Sequence, residues 1–159
     1  MKQNRFGQAS VLSPQHLDNL IDAMPAGPHR VLATILRYTA SRVSEARMLR
    51  WAAISDTHIL FTAATTKTKT SREVPMAPQL LDVLKRWKAE TNPRPTDFIV
   101  PGGVVGKPMS RQAFDKQLRA TCEQLGLSGV STHSFRRTCL TTANDKGISL
   151  HHLQAISAH

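Results

Sequence analysis

Three stretches of the sequence place cations where they could act on a bound anion. In SRVSEARMLRW (residues 41–51), Arg42 stands three residues ahead of Glu45. A carboxylate at that spacing can hold the arginine from behind while its guanidinium fork points outward to a phosphate. The plainer reading is an i,i+3 ion pair at an exposed helix end, which is common and weak. In HSFRR, His133 and Arg136 share one face of a helix near its N-terminus, where free N–H groups and the helix dipole already favour an anion. Such an arginine offsets charge developing on a phosphate under attack, and the histidine can relay a proton near neutral pH. Arg137 adds positive charge beside them. In TTKTKTSREVP, a lysine at a turn can protonate a departing oxygen if neighbouring cations lower its pKa. On chemistry alone Lys67 and Lys69 are equal candidates. Each stretch taken singly is a weak signal.

The elements that must position these residues follow from apolar spacing. Ser13 as N-cap and Pro14 at the first helical position start a helix carrying Leu17, Leu20, Ile21 and Met24, and Pro25, Gly27 and Pro28 end it. A second helix is expected from His29 to Thr39 and a third from Ser44 to Trp51, presenting Ala46, Leu49 and Arg50. Helical spacing then stops, and residues 53–76 read as a small antiparallel sheet with TTKTKTS at the hairpin tip. A helix over Pro78–Glu90 carries Leu80, Leu84 and Trp87, followed by a Pro- and Gly-rich loop with a short strand at Phe98–Val100. Ser110 caps a helix with Phe114, Leu118, Cys122 and Leu125 on its apolar face, ended by Gly126 and Gly129. Thr132 caps the helix that holds His133 and Arg136, which stops at Gly147. Leu150, Leu153 and Ile156 mark a last helix. The expected fold class is mainly α with a small antiparallel β-sheet, an α+β domain.

The composition narrows the partner. Twenty-one Lys and Arg against 11 Asp and Glu give a net charge of +10 in 159 residues. Seven of these cations fall in each of residues 1–50, 51–100 and 101–159, so the charge forms a broad face after folding and not a basic tail. Such a surplus favours a polyanion, because each neutralised phosphate releases counterions. No apolar run is long enough to span a membrane, and MKQNRFGQAS lacks a signal peptide's apolar stretch. A cytoplasmic location is therefore expected, with Cys122 and Cys139 as reduced thiols. His151, His152 and His159 match no zinc-site spacing, and Gly102, Gly103 and Gly106 lack the lysine-serine pattern of a phosphate-binding loop, so neither metal nor cofactor is expected. Trp51 and Trp87 read as packing residues.

Taken together and in order, residues 41–51, 67–75, 133–136 and 156–159 resemble the motif boxes of the tyrosine recombinase (phage integrase) family. SRVSEARMLRWAAI resembles the box around the first catalytic arginine, with Arg42, Ser44, Glu45, Leu49 and Trp51 in the expected places. TKTKTSREVPM resembles the hairpin lysine segment. The family lysine lies eight residues before the proline, here Pro75, which selects Lys67 over Lys69. HSFRRTCLTTANDKGISLHHLQAISAH resembles the box that opens on His-x-x-Arg and closes on a histidine. The similarity covers residues 12–159 and implies the fold of the family's catalytic domain.

The resemblance implies that Arg42 and Arg136 clamp a scissile DNA phosphate. Lys67 would be the general acid on the leaving 5′ oxygen, His133 would manage the nucleophile's proton, and His159 would hydrogen-bond a non-bridging oxygen. Glu45 would order Arg42 from behind, and Lys69, Arg72 and Arg137 are further DNA-binding candidates. Side-chain cations would replace the metal that other phosphoryl-transfer enzymes use. The implied partners are double-stranded DNA and other protomers, which form a tetramer on DNA in the family; this fragment by itself is expected to be a monomer, of bacterial or phage origin. Three departures stand out. The family's nucleophilic tyrosine lies beyond the position of His159, whereas the sole tyrosine here is Tyr38, on a helix before the first box. Ala158 replaces a usual glycine, and Arg137 a frequent histidine. No separate N-terminal DNA-clamping domain is expected ahead of residue 12. Residues 1–11 are expected to be a flexible segment and residues 12–159 a catalytic domain cut short at its C-terminus, inactive for strand cleavage as it stands. The alternative is a non-catalytic DNA-binding protein derived from a truncated integrase. A more distant one is a purely structural helical domain.

Overall fold

A proline at the start of a helix costs no hydrogen bond, and three helices here begin on one. In the computed structural model, which describes residues 12–62, 64 and 70–145, α1 runs over Pro14–Ala23, α2 over Pro28–Thr39 and α4 over Pro78–Thr91. The Ser13 hydroxyl accepts from the backbone N–H of His16 at 3.1 Å and Ser110 from Ala113 at 3.0 Å, capping α1 and α5 (Arg111–Leu125). Gly126 ends α5 in the left-handed conformation, φ +67°. Leu17, Leu20 and Ile21 of α1 and Val31, Leu32, Ile35 and Leu36 of α2 are buried. Burying each such side chain contributes roughly 1.5–3 kcal/mol. The helix α2 is the hub, packing on α1, α3 (Val43–Ala46), α4 and α6 (Thr132–Asp145).

The sheet is a two-stranded antiparallel pair, β1 (His58–Phe61) and β2 (Arg72–Pro75), with Ile59 opposite Val74 and Phe61 opposite Arg72. Alternation sends Ile59, Phe61 and Val74 into the core. The mainly helical α+β architecture read from the sequence is the one observed. The central tip of the hairpin, including Lys67 and Lys69, lies outside the described residues. So do residues 1–11, the glycine at 147, the expected last helix and His151, His152 and His159. No helix among the described residues is long and apolar enough to cross a membrane.

Four local expectations are corrected. The third helix does not reach Trp51: α3 stops at Ala46 and a 3-10 turn covers Trp51–Ala53. The backbone between them is drawn to a distant loop. Leu49 accepts from Ile99, and Trp51 and Ala52 donate to Asp97 and Pro95. The expected strand at Phe98–Val100 is the other side of this same contact, a single bridge between Arg50 and Phe98. Thr132 is the first residue of α6 and not its cap; Ser131 precedes the helix and donates its N–H to the Ser134 hydroxyl at 3.1 Å. Leu125 is the last residue of α5 and is 42% exposed, so it does not share the buried apolar face.

The helix α6 is held by its aromatic residue. Phe135, fully buried, meets Phe114 of α5 with ring centroids 6.5 Å apart and planes tilted by 52°. Phe135 therefore anchors the turn that carries His133 and Arg136. Replacing Phe135 with Ala is expected to cost about 3–5 kcal/mol of unfolding free energy in urea titrations. A loss below about 1 kcal/mol would show that the ring does not anchor α6.

Candidate phosphate-activating site

A buried carboxylate organises the cations. Glu45, on the short helix α3, has a side chain with no solvent exposure. Its Oε1 accepts the backbone N–H of Arg42 at 3.1 Å, so glutamate and helix start close on each other as a capping box. Its Oε2 accepts Nη1 of Arg72 at 2.9 Å, and Oε1 accepts Nη2 of the same guanidinium at 3.4 Å. That fork-on-fork pair brings strand β2 onto α3. Below the Arg72 guanidinium lies the ring of Phe61, 4.5 Å away on β1.

Arg42 is held differently. Its Nη1 lies 3.9 Å from Glu45 Oε1, an ion pair without a hydrogen bond, and the same atom is buried with no hydrogen-bond partner among the described residues. Glu45 thus holds the backbone of Arg42 tightly and its guanidinium loosely. Sequence reading paired Glu45 with Arg42 and missed that Arg72 is its closer partner. The signal was present: Arg72 and Val74 alternate onto the same face of β2, and a charge facing inward needs a buried counter-charge.

The third cation is Arg136, on α6, 7% exposed. Burial pushes its pKa down, the charges of Arg42 and Arg72 push it further, and Glu45 opposes them, leaving it at about 10. Its ordinary value is 12.5, so the charge carries a penalty on the order of 3 kcal/mol. At neutral pH the guanidinium is still charged, and an anion brought beside it would relieve that penalty. Burial would raise the Glu45 carboxyl, but the hydrogen bonds from Arg72 and the Arg42 backbone, with both guanidinium charges, bring it below its ordinary 4.5. Among the described residues Glu45 is the carboxylate acting on all three arginines, which leaves the cluster with excess positive charge.

The other sequence candidates are placed as follows. His133 is exposed one turn before Arg136 and lines a polar pocket between α5 and α6 with Arg111, Arg119 and Ser131. Arg137 is half-buried on the same helix. Lys67, Lys69 and His159 lie outside the described residues, so Arg42, Glu45, Arg72 and Arg136 are the four that the structure brings together. Cys122 and Cys139 are free thiols. Trp51 is buried, and Trp87 is half-buried with its indole N–H donated to Ile99 O at 2.7 Å.

Comparison with known proteins gives the family and the fold. The profile of the phage integrase family matches residues 10–159. The chain belongs to that family. It is 28% identical over 155 residues to the tyrosine recombinase XerD of Lacticaseibacillus casei, covering 87% of this chain and 52% of that protein. The chain spans about half the length of the curated relatives it matches. Among solved structures, XerA recombinase superposes with a TM-score of 0.79 at 19% identity, over 96% of this chain and 57% of that one. The XerH site-specific recombinase bound to its difH substrate superposes with a TM-score of 0.77 at 20% identity, over 96% and 47%. The fold is that of tyrosine recombinase catalytic domains.

The Glu45 environment sets a pH dependence. Its folded pKa is depressed, so its contribution to stability is complete above 4.5 and is lost as pH falls through the lower folded value. Glu45→Gln removes the counter-charge of buried arginines and is expected to cost about 3–5 kcal/mol at pH 7. It should also flatten the loss of stability on acidification, measured by urea unfolding between pH 7 and 3. An acid limb unchanged by the substitution would overturn this assignment.

Proposed function

We propose that this chain supplies the phosphate-activating residues for site-specific DNA recombination through a phosphotyrosine intermediate. The observation that carries this reading is the arginine cluster around buried Glu45, with Arg136 desolvated and the Arg42 guanidinium held only by a 3.9 Å ion pair. Buried like charges raise the energy of the empty site, and a phosphate between them is the group that relieves it. Family membership and the likeness to a recombinase solved on its DNA substrate support the same reading.

In this mechanism Arg42 and Arg136 each take a non-bridging oxygen of the scissile phosphate. A tyrosine oxygen forms its bond to phosphorus as the bond to the 5′ oxygen breaks. His133 manages the tyrosine proton, Lys67 protonates the leaving 5′ oxygen, and His159 donates to a non-bridging oxygen. Lys69 and Arg137 add charge along the DNA backbone, whereas Arg72, named with them from the sequence, is engaged by Glu45. Double-stranded DNA is the substrate, and other protomers complete the assembly, in the cytoplasm.

The nucleophile is not Tyr38. The phenol is half-buried on α2 beneath the Arg37 guanidinium, 4.9 Å from the ring centroid. Burial pushes its pKa up, the Arg37 charge opposes this, and Asp18 and Asp22 add to the rise. It lines a pocket with Asp18, Asp22 and Gln79, a lining that includes none of Arg42, Arg72 and Arg136. The second reading is a non-catalytic DNA-binding protein, and the two differ in whether a tyrosine reaches the phosphate.

The 159-residue chain is expected to bind duplex DNA with affinity that falls steeply with salt, and to form no covalent adduct with a nicked suicide substrate. Arg42→Ala and Arg136→Ala should each weaken binding by roughly tenfold or more and lower the salt slope by about one. Affinity indifferent to both substitutions would sink the reading in favour of a purely structural domain. The same assay on a version extended through the downstream reading frame separates the two surviving alternatives. A covalent 3′-phosphoprotein identifies the recombinase, and its absence identifies the binding protein.

A further inference from the structure

Glu45 has one charge and two neighbouring guanidiniums, and the structure divides them unequally. Arg72 takes both carboxylate oxygens, at 2.9 and 3.4 Å, with a side chain only 7% exposed and seated on the Phe61 ring. Arg42 gives Glu45 its backbone N–H at 3.1 Å, and its guanidinium stays at 3.9 Å with Nη1 unbonded among the described residues. Were Arg72 absent, a buried carboxylate with open lone pairs would stand beside the nearest mobile cation. Arg42 would close onto it, because a buried charge without a hydrogen-bonded partner is costly.

We propose that Arg72 is a positioning residue for the phosphate site: by saturating Glu45 it keeps the Arg42 guanidinium out of a closed ion pair and available to a DNA phosphate. This rests on the reading of Arg42 as a phosphate ligand. It also gives the strand that follows the lysine-bearing segment a direct tie to the first arginine, since Arg72 opens β2 and Glu45 lies on the helix that Arg42 caps.

The inference separates from a simple phosphate contact by Arg72 through a second substitution. In the 159-residue chain, Arg72→Gln should weaken duplex DNA binding about tenfold at fixed salt, because Arg42 is lost to Glu45. Adding Glu45→Gln should return most of that loss, since no carboxylate remains to capture Arg42. The double variant also removes both members of the buried pair, so it is expected to fold better than either single one. Arg72→Lys, which keeps the charge without the fork, should fall between. Thermal unfolding of each variant verifies that the affinities refer to folded protein. If the double variant binds no better than Arg72→Gln, Arg72 touches the phosphate itself or only supports the fold, and the proposal is overturned. If Arg42→Ala leaves wild-type affinity unchanged, the phosphate reading fails first and independently.

Discussion

A carboxylate with no access to water, Glu45, is the constraint around which the rest of the structure is arranged. Burying a charge is tolerable only when hydrogen-bonded partners of opposite sign surround it. Those partners come from separate places in the chain, the start of α3 and the first residue of β2. The pairing therefore fastens the sheet to the helical body at a point where apolar packing alone would leave the relative angle loose. Phe61 supports the same joint from the strand side, its ring under the guanidinium that Glu45 holds. Arginine suits the position better than lysine, because its planar fork satisfies both carboxylate oxygens and its face stacks on a ring.

The third arginine arrives by different physics. Arg136 is carried by α6, whose position is set by Phe135 against Phe114 and by packing on α2. Hydrophobic burial drives that docking and takes the guanidinium with it into a place that lowers its pKa to about 10. Core packing, in effect, overrides electrostatic preference at this residue. In the proposed reaction, a site preorganised in this way would need little rearrangement as negative charge develops on the phosphate, which is the condition for strong electrostatic stabilisation.

The helices were legible in the sequence wherever apolar residues recurred at helical spacing and a cap was present, as at Ser13 and Ser110. The extent of α3 was not, because the carbonyl and N–H groups of residues 49–52 are claimed by residues 95–99, a partner that no local pattern reveals. The site divides along the same line. The i,i+3 spacings of Arg42 with Glu45 and of His133 with Arg136 are local and could be read from the sequence, but each is a weak signal until the ordered family boxes are taken together. The Arg72–Glu45 pair joins residues 27 apart in the chain and could be read only as an inward-facing charge in search of a partner.

These two kinds of contact have opposite consequences for the folded state. The Arg72–Glu45 pair binds the fold together, whereas the excess positive charge around Arg136 works against it. A protein can hold such a repulsive cluster only if its apolar core has stability in reserve, which the continuous set of buried side chains from α1 to α6 provides. An anion entering the cluster would remove the repulsion, so under the proposed function binding and folding are linked and each favours the other. The repulsion within the cluster is the same free energy that would draw a phosphate into the proposed site, and Glu45 sets its size by cancelling part of the arginine charge but not all of it.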